Sequence, residues 1–191
     1  MLKSTQKIFE TARACFFQHG YTASSIAMIS RYANISRVTI HKQFSSKEVL
    51  FRAFIQNFLF EKDSEIIDYV NEQGPFWQDT YHFLSHRCTE MFDEIPSTLI
   101  KSDLIHAGHT LCEDLINEER SKTRLAIQTR LSQAIEAKQI SLDAVNLGPG
   151  EFAKNIQQIG ESLMLSNEEI DTREVIKTTF RLYETATLPK S

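Results

Sequence analysis

Glycine and proline are scarce in this chain, and where they fall decides the fold class. Gly20, Gly74, Pro75, Pro96, Gly108, Gly148, Pro149, Gly150 and Pro189 cut it into helix-length pieces. Glycine ends a helix by entering left-handed backbone, and proline lacks the N–H that would continue one. Between these breaks there is no period-2 run of Val, Ile and Thr, so no strand is expected. No internal repeat or low-complexity tract is present. The pieces read as helices over about 3–19, 25–32, 36–43, 46–72, 76–94, 97–118 (with Gly108 a candidate break), 119–139, 150–165 and 170–187. The expected fold class is therefore all-α, with about nine helices.

The first four pieces have the clearest internal logic. Ile8, Phe9, Ala12, Cys15 and Phe16 share one helical stripe, which Gly20 terminates. Ser24-Ser25 can cap a short second helix that buries Ile26 and Ile29, and Ser36 can cap a third with Ile40 and Phe44 inward. Ser45 and Glu48, three apart, have capping-box spacing ahead of a long helix carrying Val49, Leu50, Phe54, Phe58, Ile66 and Tyr69. Two short helices joined by Ala33-Asn34-Ile35 have the spacing of a helix-turn-helix. To enter a major groove about 12 Å wide, the second helix must project while Ile29, Ala33, Ile35, Ile40 and Phe44 pack inward. Arg37, Thr39, His41, Lys42 and Gln43 are then free to hydrogen-bond. Arg, Gln and Lys suit base edges, and Thr and His suit phosphates. The full candidate DNA-binding set is Ser25, Ser36, Arg37, Val38, Thr39, His41, Lys42, Gln43 and Lys47. Lys47 enters it because an ammonium beside first-turn amides makes a combined phosphate site.

Charge agrees with that placement. The formal net charge is −4, yet residues 1–47 carry seven basic side chains against Glu10 alone, a net +6, and residues 48–191 carry a net −10. A basic head on an acidic body directs only the head toward a polyanion. Cys15, Cys88 and Cys112 are odd in number and lack CxxC spacing, which fits a reducing cytoplasm rather than a disulfide scaffold. No apolar run is long enough to span a membrane, and the N-terminus lacks the apolar core of a secretory signal. Without a nucleophile elbow, a phosphate-binding glycine loop or a carboxylate pair in a known motif, no enzyme activity or cofactor is assigned.

Residues 8–50 resemble the N-terminal domain of TetR-family regulators. The resemblance is carried by Ile8, Phe9, Ala12, Phe16, Gly20-Tyr21, Ser25, Ile29, Ala33, Ile35, Ser36, Thr39, Ile40, Phe44, Ser46, Lys47, Glu48 and Leu50. The chain departs from the pattern at Ser30, Asn34, Val38 and His41. Asn34 replaces a turn glycine, and asparagine tolerates left-handed backbone better than most residues. The resemblance implies a helix-turn-helix domain over 1–47 and a helical effector-binding and dimerisation domain over 48–191. It implies a homodimeric repressor on a pseudo-palindromic double-stranded DNA operator, released by a small-molecule effector of unknown identity. A nucleoid-associated protein with the same head, and a metal-responsive regulator, are the alternative readings. Phe54, Phe58, Trp77, Tyr81, Met91, Phe92, His106 and His109 are the candidate effector-pocket residues. His82 and His86, and His106, His109 and Cys112, are spaced along single helical faces with Cys88 nearby. Without an HExxH or paired CxxC, no metal site is assigned. The candidate dimer surface is the apolar stripe Phe152, Ile156, Ile159, Gly160 and Leu163, followed by Val175, Ile176, Thr179, Phe180, Leu182 and Tyr183.

Overall fold

The computed structural model describes residues 3–162 and 172–189. Ten helices, and no strand, are found among them: α1 (Lys3–Ala23), α2 (Ile26–Ala33), α3 (Arg37–Gln43), α4 (Lys47–Glu61), α5 (Asp63–Asn71), α6 (Phe76–Asp93), α7 (Thr98–Leu111), α8 (Glu113–Glu136), α9 (Pro149–Glu161) and α10 (Thr172–Ala186). The chain is all-α, as the sequence pattern requires. The expected helix over 46–72 is interrupted once, at Lys62, and so becomes α4 and α5. None of the described helices is long and apolar enough to cross a membrane. Contacts divide the chain into two compact units, Met1–Glu61 with Asp93–Asn117, and Lys62–Phe92 with Glu118–Ser191.

In the first unit, α1 turns its predicted stripe inward. Ile8, Ala12, Cys15 and Phe16 are buried with Ile29, Ile40 and Leu50, and each large side chain so buried contributes about 1.5–3 kcal/mol. Phe16 meets Phe51 edge-on with ring centroids 5.1 Å apart, Tyr21 lies 4.8 Å from Phe51, and Phe54 lies 5.8 Å from Phe16. Helical geometry within α1 breaks at Gly20, whose φ of 80° is open to glycine at little cost. A Cβ there would also come within 2.5 Å of Asp103 on α7. The approach is close because the Asp103 carboxylate accepts hydrogen bonds from the Thr22 amide (2.9 Å) and the Thr22 hydroxyl. Burial would raise the Asp103 pKa, but these bonds outweigh it and hold the carboxyl below its ordinary value.

The helix expected over 97–118 ends instead at Cys112, which leaves helical geometry (φ −135°, ψ 24°). Glu113 and Asp114 then open α8, where acidic side chains complement the helix dipole. Arg52 of α4 fastens this junction. It donates to the Leu111 carbonyl (3.2 Å) and, through both terminal nitrogens, to the Asp114 carboxylate.

The second unit has its own core. Trp77 packs edge-on against Phe76, Phe152 and Phe180 and donates to the Thr187 hydroxyl at 3.2 Å. Tyr69 stacks on Phe83 with centroids 4.1 Å apart, its hydroxyl hydrogen-bonded to Thr80. The buried Arg130 guanidinium donates to the Gly74 carbonyl (2.7 Å) and to Asp79 (3.0 Å), so its charge is paired inside the unit.

Candidate nucleic-acid interface

Each half of the helix-turn-helix is fixed by its own cap. Ser25 accepts from the Met28 amide (3.2 Å) at the start of α2, and Ser36 accepts from the Thr39 amide (3.1 Å) at the start of α3. The hydroxyls of these two candidate contact residues therefore already serve the backbone. Asn34 takes the left-handed conformation expected of it (φ 51°, ψ 44°), and its N–H bonds the Arg31 and Ser30 carbonyls. Ser30, where the family pattern has alanine, closes the same turn by donating to the Ile35 carbonyl at 2.6 Å. At α4 the cap is Ser46, which accepts from the Val49 amide at 3.2 Å, rather than the expected Ser45. Glu48 accepts from the Tyr21 hydroxyl instead of completing a capping box.

With Ile40 and Phe44 buried beneath it, α3 presents Arg37, Val38, His41, Lys42 and Gln43 to solvent, and Thr39 is half-buried at the margin. Val38 is 65% exposed, unusual for a branched apolar side chain and suited to a thymine methyl. Residues 25–47 contain no Asp or Glu. Among the described residues, Arg37, His41 and Lys42 make no side-chain hydrogen bond or ion pair, and Gln43 accepts from the Thr5 hydroxyl at 2.7 Å. Arg31 and Tyr32 (60% exposed), at the end of α2, are exposed polar neighbours that the sequence reading omitted. Their signal was present: both stand off the Ile29–Ala33 face.

Lys47 is placed differently from expectation. Its ammonium donates to the carbonyls of Tyr21 (2.9 Å), Ser24 (3.1 Å) and Thr22 (3.4 Å) and lies 4.1 Å from the centre of the Tyr21 ring. An ammonium has three hydrogens, and three protein carbonyls receive them. Lys47 thus closes the end of α1 onto α4 and does not face outward.

Residues 8–54 match the family model described as bacterial regulatory proteins, tetR family. That segment, about a quarter of the chain, is similar to the N-terminal domain of the TetR family. Over 73 residues it is 33% identical to the HTH-type transcriptional repressor AcnR of Corynebacterium efficiens, a match covering 38% of this chain and 37% of that repressor. The chain thus spans under half the length of that curated relative. A TetR transcription regulator from Haloarcula marismortui has the same fold, with a TM-score of 0.76 and 17% identity over 98% of this chain and 100% of that one. The reduced form of Escherichia coli NemR also shares it, with a TM-score of 0.75 and 12% identity over 99% and 100%.

Outside the TetR-type head the candidate residues fare unevenly. Phe54 belongs to the aromatic cluster of the first unit, with Phe58 beside it (6.5 Å), and His106 and His109 are exposed on α7 of that unit. Trp77 and Phe92 are buried in the second unit, where Tyr81 is half-buried. The Met91 side chain and Leu163 lie outside the described residues. His82 and His86 are exposed, whereas Cys88 and Cys112 are buried, and burial pushes their thiols up to about 12 and about 11. No three His, Cys, Asp or Glu side chains converge as a metal would require among the described residues.

The dimer stripe needs correcting. Phe152, Ile156, Ile176 and Phe180 are core of their own unit, with Ile159 and Tyr183 packed against it. A Cβ at Gly160 would come within 2.8 Å of Leu84, so the glycine is needed for packing inside this unit. Thr179 is half-buried, its hydroxyl donating to the Val175 carbonyl. Of the two helices, α10 carries the outward apolar residues: Val175 (54% exposed) and Leu182 (64%), seven apart and so on one face.

Proposed function

We propose that this chain is a DNA-binding transcriptional regulator, a repressor that sits as a two-fold dimer on a pseudo-palindromic operator and leaves it when a small molecule binds. The observation that carries the DNA-binding part is the outward face of α3. Arg37, His41 and Lys42 stand free there on a rigidly capped helix with no acidic side chain between residues 25 and 47. Such a face matches a polyanion with readable base edges. Repression is supported by two curated relatives that are named repressors. By role, residues 1–47 read DNA and residues 48–191 serve sensing and dimerisation.

Two-fold pairing follows from operator symmetry. It is assigned here to the Val175–Leu182 face of α10, where both side chains are exposed among the described residues. The effector rests on the family resemblance, as does a cytoplasmic location. Genome-wide occupancy mapping of the tagged protein tests the reading. A few palindromic sites near promoters are expected, and broad coverage without sequence preference would indicate an architectural protein instead.

A further inference from the structure

Val38, the second residue of α3, is 65% exposed. Among the described residues of 25–44 no other branched aliphatic side chain is as open. Ile26 and Ile35 are half-buried, and Ile29 and Ile40 are buried. The helix that carries Val38 is fixed at both ends and from beneath. Ser36 accepts from the Thr39 amide, Ile40 is buried under the helix, and the Phe44 amide bonds the Ile40 carbonyl. A β-branched side chain in a helix has one strongly preferred rotamer, so the backbone sets where the two methyl groups point.

The surroundings of these methyls say what covers them. His41 and Lys42, three and four residues on, share the helix face with Val38, and Arg37 precedes it. All three are exposed, and residues 25–47 hold no Asp or Glu. An apolar spot beside donors and cations suits a polyanion that itself carries an apolar group. In DNA that group is the C5-methyl of thymine, which the major groove displays. Valine has no side-chain donor or acceptor, so the hydrogen-bonding groups of the base edges offer it nothing. We infer that Val38 is a specificity-determining residue that reads a pyrimidine C5-methyl at one position of each half-site. Thymine satisfies it, as does 5-methylcytosine, whose methyl projects from the same ring carbon, whereas uracil and unmethylated cytosine do not. The inference deepens the proposed function and rests on the outward face of α3 entering the major groove.

The test begins with a site selected by the wild-type chain from a randomised duplex library. Each thymine is then replaced by uracil, in one half-site at a time, which deletes only the methyl. Affinity should fall about fourfold at one thymine of each half-site, the scale of one buried methyl-sized group. With a C·G pair at that position, methylating the cytosine at C5 should restore about the same factor. Val38→Ser removes both γ-methyls from an exposed position, so its melt should match the wild type. It should bind the methylated and unmethylated duplexes equally at that position. If it melts early, Val38→Ala, which also lacks the γ-methyls, takes its place. A specific site at which no thymine methyl matters, or a methyl dependence that persists in the variant, would overturn the inference while leaving DNA reading intact. Failure of the wild-type chain to enrich any sequence would overturn both.

Discussion

Replacing Lys47 by methionine keeps the side-chain stem and removes the ammonium from the Tyr21, Ser24 and Thr22 carbonyls. A hydrogen bond from a charged group is worth about 1.5–3 kcal/mol when buried. The bonds to Tyr21 and Ser24 are only partly buried, so about 1 kcal/mol each is appropriate, and the exposed 3.4 Å bond to Thr22 adds little. The cation over the Tyr21 ring contributes about 0.5–1 kcal/mol more. Lys47→Met should therefore lose about 2–3 kcal/mol, read as a fall in the denaturant midpoint. A lysine on a phosphate behaves oppositely. Its loss barely affects the melt and flattens the dependence of log K on log salt by about 0.9 per phosphate in each chain. The structure predicts an earlier melt and an unchanged salt slope for the folded protein. An unchanged melt with a shallower slope would refute the reasoning and return Lys47 to the DNA contacts.

Other consequences are smaller but separable. Asn34→Ala should cost about 1 kcal/mol in a urea melt, because alanine tolerates left-handed backbone poorly, whereas Asn34→Gly should be neutral or stabilising; equal melts for Ala and Asn would contradict this. The Arg52 hydrogen bond lowers the Asp114 carboxyl to about 2, so its contribution to stability is full above the ordinary carboxylate pKa and is lost progressively as pH falls from there through about 2. In Arg52→Met, NMR titration should find Asp114 moved up from about 2 toward the ordinary carboxylate range, and an unmoved titration would show that Arg52 does not set it. Leu182→Glu should convert the proposed dimer to a folded monomer in sedimentation, while Ile156→Glu should unfold the chain.

The head was legible because there the local signals agree. Ile29 and Ala33 stand at helical spacing on α2, Ile40 faces them from α3, and each is fully buried. Ser25 and Ser36 stand where caps are needed, and Asn34 stands where the backbone turns left-handed. What failed was information that periodicity does not carry. An apolar stripe says that a helix has a buried face, but not which core buries it. Ile156 and Phe180 therefore look the same whether they meet their own chain or another. Lys47 misled for a related reason, since its acceptors lie 23–26 residues upstream and converge only after α1 and α4 have packed. The break at Cys112 carried a signal of its own: His109 in the last turn of α7 and Glu113-Asp114 in the first turn of α8 complement two helix dipoles, where a single helix was expected.

In the proposed function, α3 lies in a major groove and reads base edges there. Replacing guanine by 7-deazaguanine removes the N7 acceptor from the major-groove edge and leaves Watson–Crick pairing and the minor groove untouched. Binding should be measured on the selected duplex with this replacement made at one guanine at a time. Losses of about 1–3 kcal/mol are expected at a few guanines clustered on one major-groove face of each half-site. They should disappear at the position read by Arg37 when Arg37→Ala is used. Equal affinity for every substituted duplex would contradict the account.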